Sequence, residues 1–180
     1  MFRYLVVANQ TLGGEQLLTA IRDHMLTGPC HFHVLVPATP ASDLDADYLA
    51  GVAQAANPTA LHGGEGLDRR QARQLLEDEL EEAGHAEPGE DLGRRLARER
   101  LRHALARLRG LGADVSGEVG VADPVEAIRV VLHRWEFDAI ILSTLPGRRS
   151  RWLEMDLPTR LRRGFKLPVT HVTGSSTPTG

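Results

Sequence analysis

Three short segments constrain this chain more than anything else in it: Tyr4–Ala8 (YLVVA), Phe32–Val36 (FHVLV) and Asp138–Leu142 (DAIIL). Each is a nearly continuous apolar run, rich in β-branched residues and too short for a helix. A strand that is apolar on both sides must be covered on both sides. Such strands belong to parallel sheets with helices above and below. Between the first two runs, Leu17, Leu18, Ile21 and Met25 recur at helical spacing after the turn Thr11–Gly14, until Gly28-Pro29 stops them. Pro37 closes the second run. A strand–helix–strand unit of this length forms a right-handed parallel crossover.

The second half repeats the alternation. From Arg94 to Arg109, Leu96, Leu101, Leu105 and Leu108 predict one apolar stripe with the arginines opposite it. Gly110-Leu-Gly ends that helix. Asp114–Val121 alternates in polarity, which predicts a half-exposed strand at a sheet edge. Asp123 before Pro124 is a helix start, with Val125, Ile128, Val131 and Leu132 as the buried face. After the strand at 138–142 comes a loop rich in Gly and Arg, a helix from Arg151 to Arg163, and a last strand at Pro168–Val172. Residues 174–180 form a polar tail expected to be disordered. Residues 38–93 hold the breakers Pro40, Asn57-Pro58, Gly63-Gly64, Gly66, Pro88 and Gly89 between helical patterns near 43–55 and 68–84. This is a helical insertion after the second strand, least anchored at 57–67 and 84–91. The whole chain, 1–180, reads as one α/β domain: a doubly wound, open parallel sheet of five strands.

Composition narrows the partners. A formal net charge of -3 argues against bulk attraction to nucleic acid. No apolar run is long enough to span a bilayer, and the N-terminus lacks a secretory apolar core. A single cysteine, Cys30, forbids an intrachain disulfide and fits a reducing compartment, so a cytoplasmic location is expected. His31 and His33 share one face of the second strand, but no third donor stands at a recognisable spacing, and no metal is expected. His171 reads as structural, and Cys30 as packed. Spacing reveals neither a Ser–His–Asp nor a Cys–His set, so no catalytic residue is assigned.

These motifs together resemble the universal stress protein family. The features are Tyr4–Ala8 with its loop and helix, Gly110–Val115 before the edge strand, and Gly120–Pro124 followed by Ala127-Ile128. To these add Phe137–Ser143, similar to the family's D-x-I-V-x-G strand, and Arg163–Val172, similar to its closing turn and strand. The likeness covers residues 2–37 and 94–174. It implies strand order 3-2-1-4-5 and a homodimer paired through the strand at 168–172. One branch of the family binds ATP through a G-x-x-G loop followed further on by G-S/T. Here Ser143 and Pro146 stand at the first two glycines, Asp156-Leu157 at the later pair, and Asn9 at the family's acid. Proline lacks a donor and Asp156 repels phosphate, so family-type ATP binding is not expected. The crevice implied by the resemblance is lined by Ala8, Asn9 and Gln10 after the first strand, and by Ser143, Thr144 and Gly147 after the fourth. Arg148 and Arg149 supply a different anion site for a small anionic ligand. The function expected is that of a non-catalytic, stress-associated or regulatory protein binding a small ligand or a partner. The alternative is a nucleotide-binding or nucleotide-hydrolysing protein using a modified phosphate loop at 143–151.

Overall fold

The three apolar runs become the three central strands of one sheet. The computed structural model describes residues 1–40, 69–82, 91–146 and 151–174. In chain order the elements are β1 (Phe2–Val7), α1 (Glu15–Leu26), β2 (Cys30–Pro37), α2 (Arg69–Glu82), α3 (Leu92–Gly110), β3 (Asp114–Gly120), α4 (Pro124–Arg134), β4 (Ala139–Thr144), α5 (Arg151–Glu154), α6 (Leu157–Gly164) and β5 (Val169–Thr173). The five strands lie in the order β3-β2-β1-β4-β5, and every pairing is parallel. The fold is therefore the doubly wound α/β sheet with strand order 3-2-1-4-5.

Alternate residues of β1 show why its sequence is continuously apolar. Tyr4 and Val6 join Phe32, Val34 and Ile141 under α1 (Leu17, Leu18, Ile21) and α3 (Ala97, Leu101, Ala104, Leu108). Leu5 and Val7 join Leu35, Ile140 and Leu142 under α4 (Ala127, Ile128, Val131) and α6 (Leu157, Leu161). Each side of the sheet thus has its own core, and the edge strand β3 carries the alternating pattern.

Three readings of the sequence are corrected. The arginines of α3 do not all lie opposite its apolar stripe: Arg100 is buried, at 4% exposure, in the row Leu96, Arg100, Ala104, Leu108. The helix read across 151–163 is broken. It divides into α5 and α6 around Asp156, whose φ of 50° is left-handed. Pro158 is the reason: a helix running on from Arg151 would drive its ring into the Glu154 carbonyl, whereas the first turn of a new helix accepts it. Asp91 caps α3 by accepting from the Arg94 N–H at 3.1 Å. Of the insertion, α2 falls within the pattern read at 68–84. The pattern at 43–55 and the breaker segments at 57–67 and 84–90 lie outside the described residues. Gly174, assigned to the tail, is buried, and its N–H donates to the Thr144 carbonyl at 2.9 Å. No helix among the described residues is long and apolar enough to cross a membrane.

Candidate functional site

In this strand order the chain leaves β1 toward β2 on one side, while β4 lies on the other. The connections after β1 and β4 therefore diverge, and beyond their carboxyl ends lies the place where open parallel sheets hold their ligands. Val7 pairs with Leu142, which sets Ala8–Gln10 level with Ser143 and Thr144. The residues expected at the crevice from β1 and from β4 thus meet at one end of the sheet.

Their individual roles differ. Ala8 is fully buried in the core beneath α1 and α3. Asn9, also buried, is held by both ends of its amide. Its Nδ2 donates to Thr39 Oγ1 at 2.8 Å, and its Oδ1 accepts from Arg100 Nη1. Gln10 is half-buried. Ser143 shares a 2.7 Å hydrogen bond with the buried hydroxyl of Thr11. Thr144 shares one of 2.8 Å with His171 Nε2. Burial first, and then the Arg162 charge, push the His171 pKa below its ordinary value. Gly147, Arg148 and Arg149 lie outside the described residues.

Three residues of this end of the sheet were not legible as site residues, Thr39, Arg100 and His171, whereas Thr11 opens the Thr11–Gly14 loop that the sequence offers as a crevice lining. For Arg100 a signal exists, since it stands four residues from both Leu96 and Ala104, inside the apolar row rather than beside it. The arrangement suits binding. It combines buried hydroxyls and an amide with a guanidinium held at low dielectric, which gives charge-assisted hydrogen bonds their strength. Among the described contacts, Ser143 faces another hydroxyl rather than a base, so nothing there activates it as a nucleophile.

The fold defines a class, the open parallel α/β proteins. No protein-family model matches the chain, and no curated protein matches it.

Proposed function

We propose that the chain is a divergent universal stress protein: a cytoplasmic, homodimeric regulatory protein that holds a small anionic ligand in the β1/β4 crevice. The observation that carries this reading is the buried Arg100 guanidinium bonded to Asn9, beside the Thr11–Ser143 pair, at the one place where this topology opens. A guanidinium at this end of the sheet, together with the Arg148 and Arg149 that follow β4 in the sequence, favours an anion over a neutral ligand. The crevice binds and does no chemistry. It takes ATP weakly at best, because Pro146 and Asp156 stand where the family's ATP-binding branch has glycines. Thr39 and Arg100, with Asn9, replace that arrangement.

Calorimetric and thermal-shift titration with inorganic phosphate, sulfate, ATP, ADP, AMP and cyclic nucleotides tests the reading. At least one anion should raise the Tm of the native chain and leave Arg100→Met unmoved. Should no anion do so, or should the shift survive that substitution, the crevice reading fails. Micromolar ATP affinity would instead favour the nucleotide-binding alternative through 143–151.

A further inference from the structure

Toward the amino ends of β2 and β3, away from the crevice, five polar side chains share one face of the sheet. Leu35 belongs to the core under α4, so by strand alternation His31 and His33 lie on that face too. Register places His31 opposite Asp114 and His33 opposite Ser116. The Ser116 hydroxyl is 2.8 Å from His31 Nε2 and 2.8 Å from His33 Nδ1. On its far side, His31 Nδ1 is 3.0 Å from the Asp114 carboxylate. His33 Nε2 is 3.5 Å from Glu118, which Arg134 at the end of α4 also grips.

The first of these rows sets a hydroxyl, an imidazole and a carboxylate in the order of a nucleophile, a base and an acid: Oγ hydrogen-bonded to Nε2, and the carboxylate within ion-pair distance of Nδ1. With the His31 proton on Nδ1, the nitrogen nearer the Asp114 carboxylate, the lone pair of Nε2 faces Ser116. The site is reachable, because β3 is a sheet edge and the Asp114 side chain is 61% exposed while His31 is 17% exposed. One backbone donor follows the hydroxyl in the chain. The Gly120 carbonyl accepts from Ala38, so it faces β2. Alternation then turns the N–H of Gly117, the residue after Ser116, toward the open edge, where no described strand pairs.

We propose that Ser116 is an activated nucleophile that takes the acyl group of small carboxylic esters. Oγ attacks the ester carbonyl carbon as its proton passes to His31 Nε2, and the oxyanion forms toward the Gly117 N–H. The carbonyl–alkoxy bond breaks, and the departing alkoxide takes the proton from His31, giving an alcohol and acyl-Ser116. Water, deprotonated by His31, then attacks the acyl carbon, releasing the carboxylic acid and returning the proton to Ser116. Asp114 orients the base and does not exchange a proton. A single donor at an open edge suits small, reactive esters rather than amides. This activity goes beyond the binding role of the crevice and is independent of it.

The test uses the native full-length chain with a fluorophosphonate probe and with p-nitrophenyl acetate, the adduct being mapped by peptide mass spectrometry. One adduct per chain is expected, on Ser116. Asp114→Asn, a change at an exposed carboxylate, should slow labelling at least about tenfold, and His31→Gln about 100-fold, with the Tm recorded alongside. No adduct, an adduct on another residue, or labelling of Asp114→Asn at the native rate would each overturn the proposal. Any of these would reduce the cluster to a polar ladder between two strands.

Discussion

His33 shows how burial sets a side chain's chemistry. Its ring lies 5.9 Å from that of Phe137 and bonds Ser116. Burial is the main reason its pKa falls below the ordinary value. Glu118 opposes that fall, and His31 and Arg134 reinforce it. His171 is lowered too. A histidine lowered in the fold binds its proton more readily when unfolded. Its contribution to stability is therefore complete above the unfolded pKa, about 6.5, and is lost as pH falls toward the folded value. The urea midpoint should drop between pH 7 and pH 5, and the drop should be shallower in His33→Asn than in the native chain. Equal slopes would show that His33 titrates alike in both states. Glu118 acts in a lower window. Burial raises its pKa, but the hydrogen bond and charge of Arg134, with His33, outweigh that and hold it below the usual carboxylate value.

At the scale of elements, α4 and its approach to β3 are the most sharply specified. Asp123 Oδ1 accepts the Glu126 N–H at 2.8 Å, and Pro124 follows where a missing donor costs nothing. Asp123→Ala should lower stability by about 1 kcal/mol, measured by urea unfolding. A loss near zero would show that the cap is replaced by water. Gly120 lets α4 reach the sheet: a Cβ there would stand 2.7 Å from Ala127 Cβ and 2.9 Å from Leu35 Cδ1. Gly120→Ala should therefore cost about 1–3 kcal/mol, and Ala127→Gly in the same chain should recover part of it. Absence of any rescue would place the strain elsewhere.

At the scale of the whole molecule, β5 ends the sheet on one side. The Pro168 carbonyl accepts from Ile140 and the Gly174 N–H donates to Thr144, so the even-numbered residues between them face β4. The N–H groups of Val169, His171 and Thr173 then face outward, as unpaired edges do. Val169 and Val172 are half-buried against the two cores, so substituting them would disturb the monomer as well. Thr173 is exposed, and proline there removes an outward donor without cutting the β4 ladder. Light scattering at micromolar concentration should give a dimeric mass for the native chain, weakened at least about tenfold by Thr173→Pro if two copies pair through β5. A monomeric native chain would end the dimer proposal, and a dimer indifferent to Thr173→Pro would move its interface off this strand.

The sequence by itself determined the elements that depend on near neighbours. Two-sided apolar runs specified β1, β2 and β4, alternation specified the edge strand β3, and Asp123-Pro124 specified the start of α4. The break at Asp156 was equally local, since Pro158 announces it. Which polar groups meet was not local. Thr11 and Ser143 are 132 residues apart in the chain, and His31 and Ser116 are 85 apart. Their contacts follow from strand order and register, which no single segment carries. Arg100 falls between the two kinds. Its place in the apolar row could be counted from the sequence, but only the tertiary structure brings Asn9 to it as an acceptor for the buried guanidinium.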